Sequence, residues 1–238
     1  MKYSEIKKIA TERLANELFK EQGFILKKGG LGGGFSFRNS LVQDRILVVG
    51  CGISKYGETN IVNHVSAGIN FLEIEEIFAP IVAKNGLMGS DLKAIDNTTI
   101  TINKIPSFEN HNFSRFCEGI IIKDESGVKI LVDRIKEFYY EIAVPAFESF
   151  TSIEQLVPMI KDLDVFQIDE ILHYGLIKKA IIYKLCNVSE YDNYITERIS
   201  IIKNTLDSGD YDEVVPKWYN TLVELKEILD KTPAKYNL

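Results

Sequence analysis

A chain of 238 residues with 45% apolar content can bury the core of one large domain or of two small ones. Its formal charge of −6, from 28 basic and 34 acidic residues, argues against a dedicated phosphate-backbone binder, because such proteins carry a basic stripe. The N-terminal sequence lacks an apolar signal segment, no apolar run reaches the length of a membrane span, and the three cysteines are widely spaced. An odd number of cysteines suits a reducing compartment, so we expect a cytoplasmic protein with no membrane association.

The charge is distributed unevenly along the chain. Residues 1–43 carry eight basic and four acidic residues (+4), whereas residues 151–238 carry ten basic and fifteen acidic residues (−5). The acidic C-terminal region is compatible with a basic protein partner. The basic N-terminal segment leaves RNA binding open as a third hypothesis, although the overall charge does not favour nucleic acid. That hypothesis uses the cations Lys7, Lys8, Lys27, Lys28 and Arg38.

The first predicted element is an amphipathic helix of about 18 residues, in which apolar residues recur every four positions from Ile6 to Leu18. Ser4 is placed as its N-cap, and Gly23 follows as the left-handed residue that ends it. Period-two alternation then predicts strands over residues 35–38 and 61–71, and continuous apolar runs predict strands over 24–26 and 45–53, the latter in a central position that is buried on both faces. The strand over 61–71 has one apolar face and one mostly polar face that includes His64, which is typical of an antiparallel strand with one solvated face.

Five glycines lie between the first two predicted strands, within residues 29–34. Glycine lets backbone amides approach a phosphate closely, so a nucleotide-binding loop is the functional alternative. The spacing does not fit G-x-G-x-x-G, Phe35 stands where a P-loop has its lysine, and a strand rather than a helix follows. The segment therefore predicts a mobile hairpin loop.

The rest of the chain is mainly helical. Ser152 with Gln155 three residues later predicts a capping box at the start of one of these helices. The predicted elements are a helix over 72–85, a strand over 98–105, a short strand or a crossing of the core over 119–122, a helix from Ser126 to near Pro145, and helices over 153–163, 166–187, 189–207 and 211–231. This order predicts an α+β fold over residues 1–165, with an antiparallel sheet and helices packed on one face. Residues 166–238 are predicted to form a C-terminal helical extension packed on that domain.

Reactive side chains are few and scattered. The three histidines, His64, His111 and His173, match no metal-binding spacing, so we predict no metal site. Cys117 and His111 share a polar loop, which leaves a thiolate and base pair open as an alternative to a small buried thiol. No cofactor motif is recognisable, and we predict neither a cofactor nor catalytic residues.

The last two predicted helices combine acidic and aromatic residues. Asp210 lies with Ser208 where the final helix is expected to start, so helix capping is the structural alternative to a binding role. Trp218 belongs either to an aromatic contact surface or to the packing between these helices.

Two segments resemble an uncharacterised bacterial domain family, a domain of unknown function, over roughly residues 1–165. The first runs from Gly23-Phe24 through Lys27-Lys28 and Phe35-Ser36-Phe37-Arg38 to Gly68-Ile69; the second is the stretch Ala143–Ser152, with a proline, two phenylalanines and a serine cap. The resemblance implies an antiparallel sheet with helices packed on one face, and it supplies no catalytic residues. Some similar bacterial proteins are immunity or accessory factors beside toxins, so the resemblance makes such a role an expectation.

We therefore hypothesise a non-enzymatic bacterial protein that binds another protein through its polar sheet face or its acidic C-terminal helices. The predicted binding residues are Arg38, His64, His111, Asp210 and Trp218. The alternative is a small-molecule or nucleotide-processing enzyme with a pocket between sheet and helices. Its reactive groups would be Arg38, His64, His111 and Cys117.

Overall fold

A computed structural model describes residues 1–27, 34–40, 42, 44–108 and 111–238. These residues form an antiparallel sheet of six strands together with helices, which confirms the predicted α+β class. The glycine-rich hairpin predicted at 29–34 lies almost wholly outside the described residues. The two strands that flank it do pair antiparallel, as the hairpin prediction requires.

The described chain divides into two compact units that are each discontinuous in sequence. One unit combines Met1–Asn70 with Ile100–Ser149, and the other combines Phe71–Thr99 with Phe150–Leu238. The predicted domain boundary between residues 165 and 166 falls inside the second unit.

The sheet belongs to the first unit and has the strand order β1-β2-β3-β4-β5, with β6 paired to β4. The strands are β1 (Ile25–Lys27), β2 (Phe35–Asn39), β3 (Arg45–Tyr56), β4 (Thr59–Phe71), β5 (Ile100–Thr101) and β6 (Ile121–Ile122). Phe37 lies opposite Val49 in the pairing of β2 with β3, and both side chains are buried. Phe35 is buried as well, whereas Ser36 and Arg38 are half-buried, so alternate residues of β2 form one apolar face.

The helices follow the predicted positions closely except near residues 145 and 173. The prediction of Ser4 as the N-cap of the opening helix is wrong, because the helix already begins at Tyr3 and Lys2 occupies the N-cap position. The helices are α1 (Tyr3–Leu14), α2 (Leu72–Lys84), α3 (Glu125–Phe138), α4 (Val144–Ser149), α5 (Leu156–Ile160), α6 (Val165–Leu172), α7 (Gly175–Leu185), α8 (Tyr191–Ser208) and α9 (Val215–Lys231). Within the described residues, none of these helices has both the length and the apolar content needed to cross a membrane.

Two π-helical segments shape the core of the first unit. Residues 15–19 extend α1, and residues 139–143 join α3 to α4. Phe19, at the end of the first segment, stacks on Phe37 with a ring-centroid distance of 4.3 Å and meets Tyr139 edge-on at 5.5 Å. These contacts pack the first π segment on the buried Phe37 of β2 and the second π segment on the first. The helix predicted to stop near Pro145 instead continues to Ser149, because the wider π turn precedes the proline and α4 begins just before it.

The strand predicted over residues 98–105 is much shorter in the structure. Only Ile100 and Thr101 pair with β4, and a 3₁₀ turn follows over Ile102–Lys104. The side chain of Asn103 replaces the missing strand pairing, because its amide donates to the carbonyl of Val65 at 2.9 Å and accepts from the N–H of Ala67 at 3.3 Å. A side chain thus completes the edge of the sheet.

A buried ion pair lies at the centre of the second unit. Glu75 on α2 and Lys178 on α7 are fully buried, with 2.7 Å between Oε1 and Nζ. Glu75 also accepts hydrogen bonds from Asn97 at 2.6 Å and Thr99 at 2.8 Å, while Lys178 donates to the carbonyl of Thr98 at 2.8 Å. Burial lowers the pKa of Lys178, and the Glu75 carboxylate opposes that shift. The pair therefore fixes α7 against α2 and the 97–99 segment.

We expect Lys178→Met to lower the free energy of unfolding by about 3–5 kcal/mol, because the variant leaves the Glu75 charge buried without its cation. The double variant Glu75→Gln with Lys178→Met should recover most of this loss, since the introduced amide is uncharged, its oxygen can accept from Asn97, and its NH2 group can donate to the Thr99 hydroxyl. Urea unfolding followed by circular dichroism measures both values. A single variant that loses less than about 1 kcal/mol would contradict the central role of the pair.

Candidate functional site

Three of the five predicted binding residues lie in the first unit. Arg38 is half-buried on β2, and burial lowers the pKa of its guanidinium. His64 is exposed on β4 and its ring covers Gly52, where a Cβ atom would lie 2.2 Å from the imidazole. His111 is exposed in the loop after Phe108, and its Nδ1 lies 3.3 Å from the carbonyl oxygen of that residue. Each of these side chains thus has a local structural contact.

The geometry at Cys117 does not favour a nucleophilic thiolate. Its Sγ–H points to the carbonyl of Ser114 at 3.6 Å, and burial raises the pKa of the thiol. A nucleophilic cysteine requires the opposite shift, from a neighbouring cation or helix N-terminus. The structural alternative therefore accounts for this cysteine better than the pairing with His111.

The other two predicted residues, Asp210 and Trp218, lie in the second unit. Asp210 is exposed in the connection between α8 and α9, and its N–H donates to Ser208 Oγ at 3.4 Å. The expected helix start at Ser208 is wrong, because Ser208 ends α8 and Gly209 follows in the left-handed conformation at φ 75°. Trp218 is half-buried on α9 and lines two cavities.

An unusual turn between α6 and α7 forms one wall of the region around Trp218. His173 and Tyr174 both have positive φ, at 31° and 64°, a backbone conformation that residues other than glycine rarely adopt. Gly175 follows, and a Cβ atom there would lie 2.6 Å from the carbonyl of Ile168. The helix predicted over 166–187 is therefore broken in two, because the chain turns sharply where only glycine fits against α6.

Three contacts hold this turn in place. Asp169 Oδ1 accepts the N–H of Gly175 at 2.9 Å, and the Tyr174 hydroxyl donates to the carbonyl of Leu87 at 3.0 Å. The Tyr174 ring stacks on Trp218 with 5.6 Å between centroids and an interplanar angle of 29°. Asp169, Tyr174 and Trp218 are thus fixed relative to one another, although their helices are distant in sequence.

Two cavities share Asp169 and Trp218 as lining residues, and we call the two cavities together the Trp218 groove. The larger one, of about 360 Å³, is mostly apolar, and it is lined by Val165, Phe166, Asp169, Leu176, Ile202, Thr205, Val215 and Trp218. The smaller one, of about 280 Å³, is lined by Leu87, Asp169, His173, Tyr174, Val214 and Trp218. Because α6, α7, α8 and α9 all contribute to the lining, the groove is a product of the helical packing.

The first turn of α6 presents an apolar rim to solvent. Asp164 caps this helix by accepting from the N–H groups of Phe166 and Gln167, and the Gln167 side chain returns to the N–H of Asp164. Phe166 is 85% exposed as a result of its place in this turn, and Val165 is 38% exposed. An aromatic ring that is open to water beside an apolar cavity is typical of a binding surface.

The groove is acidic. Asp169 is the charged side chain among its lining residues, while burial and the nearby Lys178 lower the pKa of His173 and favour its neutral form at pH 7. Three exposed acids, Asp210, Asp212 and Glu213, directly precede Val214 and Val215, which also line the groove. We call these three acids together with Asp169 the acidic rim.

Trp218 and Asp210 could be identified from the sequence, whereas Asp169, Phe166 and the turn at Tyr174 were missed. Two signals in the sequence could have found them. Asp164 and Gln167 have the spacing of a capping box, which predicts a helix start at Val165, and Gly175 interrupts an otherwise apolar helical pattern.

We expect Gly175→Ala to lower the free energy of unfolding by about 1–3 kcal/mol, because the new Cβ atom would collide with the backbone of α6. The emission of Trp218, which is the only tryptophan of the chain, should also change, since its partner Tyr174 precedes the substitution. Chemical unfolding and intrinsic fluorescence measure these effects. Gly50→Ala is the matched control, because its Cβ atom would make ordinary contacts at 3.5 Å or more. Equal effects of the two substitutions would refute the steric argument.

Comparison with known proteins gives no further information about the site: no family model, no curated protein and no solved structure matches this chain. In the residues that the structure describes, no group of three or more His, Cys, Asp or Glu side chains is placed to hold a metal ion. The geometry of the Trp218 groove is therefore the basis for inferring a function.

Proposed function

We propose that this protein is a non-enzymatic interaction protein whose Trp218 groove binds a basic, amphipathic segment of a partner protein. The observation that carries the proposal is an apolar groove whose lining includes Asp169 and the two valines that directly follow an exposed acidic segment, residues 210–213. A role as a cytoplasmic accessory or immunity factor fits both this surface and the resemblance of residues 1–165 to a bacterial domain family.

The apolar part of the groove can accommodate an apolar anchor side chain of the partner. Phe166 and Val165 at the rim and Trp218 within the groove provide aromatic and aliphatic surface, the kind of surface that dominates binding energy at protein interfaces. A cavity of about 360 Å³ is large enough for one or two apolar side chains. An amphipathic helix presents such anchors at i, i+3 and i+4.

The negative charge of the rim favours binding of a basic partner segment over a neutral or acidic one. Asp210, Asp212 and Glu213 are exposed, and the nearby Lys203 already forms an ion pair with Asp207 at 2.6 Å. A partner with arginine or lysine residues beside its apolar anchors would gain electrostatic steering toward this surface.

As the binding surface for a partner, the observations favour the C-terminal helices over the predicted polar face of the sheet. On β4, His64 is exposed and Ser66 is half-buried, but Val62, Gly68 and Asn70 are buried. The polar face is thus not open along the whole strand, whereas the Trp218 groove combines exposed apolar and acidic groups in one place.

The proposal predicts that a helical model peptide with leucines on one face and arginines on the other binds the protein, and that a peptide with glutamate in place of arginine does not. Because Trp218 is the only tryptophan, its fluorescence reports binding in the groove directly. Phe166→Ser should weaken binding roughly tenfold, which corresponds to about 1.4 kcal/mol.

Ile130→Ser on α3 is the matched control, because Ile130 is 52% exposed but lies in the first unit. It should leave the dissociation constant unchanged. The proposal fails if the basic and acidic peptides bind equally, or if Phe166→Ser and Ile130→Ser have the same effect.

Charge reversal tests the rim separately. The triple variant Asp210→Lys, Asp212→Lys and Glu213→Lys should weaken binding of the basic peptide roughly tenfold at low salt and much less at high salt, because salt screens exposed charges. The control reverses three exposed acids of the first unit: Glu118, Asp133 and Glu148. Titrations at two ionic strengths measure the difference. A dissociation constant that changes neither with the charge reversal nor with the salt concentration would contradict the electrostatic part of the proposal.

A further inference from the structure

Within the Trp218 groove, Asp169 and Trp218 differ from the other lining residues because each lines both cavities. A group bound in either cavity beside these two residues, a place that we call the junction, can therefore contact a carboxylate and an indole ring together. We infer that this junction is a subsite for one arginine side chain of the partner, an inference that rests on the proposed function.

The carboxylate of Asp169 is held in position for such a contact. Its Oδ1 accepts the N–H of Gly175 at 2.9 Å, and the backbone carbonyl of the same residue accepts the N–H of His173 at 3.1 Å. A carboxylate accepts about four hydrogen bonds, so one backbone donor leaves capacity for a guanidinium. The backbone bond orients the carboxylate without neutralising it.

Trp218 is fixed as well. Its ring stacks on Tyr174, whose hydroxyl is in turn bonded to the carbonyl of Leu87. A partner cation would thus meet an indole that is already ordered, and little conformational entropy would be lost on binding. Cations are attracted to an aromatic face, and among the aromatic side chains tryptophan attracts them best.

The chemistry of the junction favours arginine over other cations. A planar guanidinium can stack on the indole and donate to a carboxylate at the same time, whereas a lysine ammonium acts as a point charge. A divalent metal ion is a poor fit, because Asp169 is the one carboxylate among the lining residues of the two cavities.

Neither Lys178 nor His173 supplies a competing cation at the junction. Lys178 is paired with Glu75 in the buried network, and burial together with Lys178 lowers the pKa of His173. The negative charge of Asp169 is therefore available to a ligand.

The test compares three versions of the helical peptide, which carry arginine, lysine or citrulline at one variable position. Citrulline keeps the shape of arginine but has no charge. For the unmodified protein at low salt, we expect the arginine peptide to bind about three- to tenfold more tightly than the citrulline peptide, with lysine between them. Trp218 fluorescence gives the dissociation constants.

The variant Asp169→Asn removes the charge and keeps an oxygen that can accept the Gly175 N–H, so it is expected to fold. In this variant, the arginine and citrulline peptides should bind equally within about twofold. Trp218→Leu, followed by the fluorescence anisotropy of a labelled peptide, should remove the same preference. Asp210→Asn is the control. It should weaken the binding of both peptides without changing the ratio of their dissociation constants.

The outcomes separate the subsite from the proposed function. If Asp169→Asn retains the preference for arginine while Phe166→Ser still weakens binding, the arginine subsite is wrong and the groove remains the interface. If none of the three peptides binds the unmodified protein, the proposed function and the subsite both fail.

Discussion

The buried Glu75–Lys178 ion pair is the constraint on which the second unit depends. Both side chains are fully buried, and transfer of two charges from water costs several kcal/mol per ion unless each finds its partners. Here the carboxylate accepts from Lys178, Asn97 and Thr99, while the ammonium donates to Thr98 and lies 4.6 Å from the centroid of the Phe78 ring. Because these groups come from three separate segments, the network accepts only one register of α7 on α2. Phe78 also contacts Tyr174 at 5.6 Å, so the same register decides where the turn before α7 lies.

That turn combines a strained backbone with ordered side chains. Two consecutive residues with positive φ cost of order 1–3 kcal/mol each, and such strain persists only where the surrounding contacts determine the conformation. The contacts are the Asp169 bond to Gly175, the Tyr174 bond to Leu87 and the stack of Tyr174 on Trp218. As a consequence, the acidic and aromatic groups of the Trp218 groove are positioned before any ligand arrives. A preorganised surface of this kind loses less entropy on binding, which favours an interaction role for the exposed side chains around it.

Much of the fold could be predicted because it depends on local periodicity. The opening helix with Gly23 in the left-handed conformation, the long strands β3 and β4 and the capping box at Ser152 and Gln155 are all confirmed. The features that escaped prediction depend on contacts between residues distant in sequence. Asn103 ends a strand only because its side chain reaches β4, and the helix break at His173 follows from the close packing of Gly175 on Ile168. The candidate site shows the same division. Asp210 and Trp218 can be singled out by residue type alone, whereas the two cavities that share Asp169 and Trp218 exist only after four helices pack.

The combination of an exposed aromatic rim and surrounding acids also has a consequence for specificity. A ring that is 85% exposed, such as Phe166, would promote self-association if it stood alone on a neutral surface. The acidic rim and the net charge of −6 oppose this, because two copies of the chain repel each other where their apolar surfaces would meet. The same charges attract a basic segment, so the electrostatic term has opposite signs for a second copy and for the proposed partner. Specificity is a difference between two affinities, and here one set of carboxylates contributes to both terms of that difference. In the proposed complex, the apolar contacts would supply most of the binding energy, and Asp169 and the rim acids would decide which apolar segment is accepted.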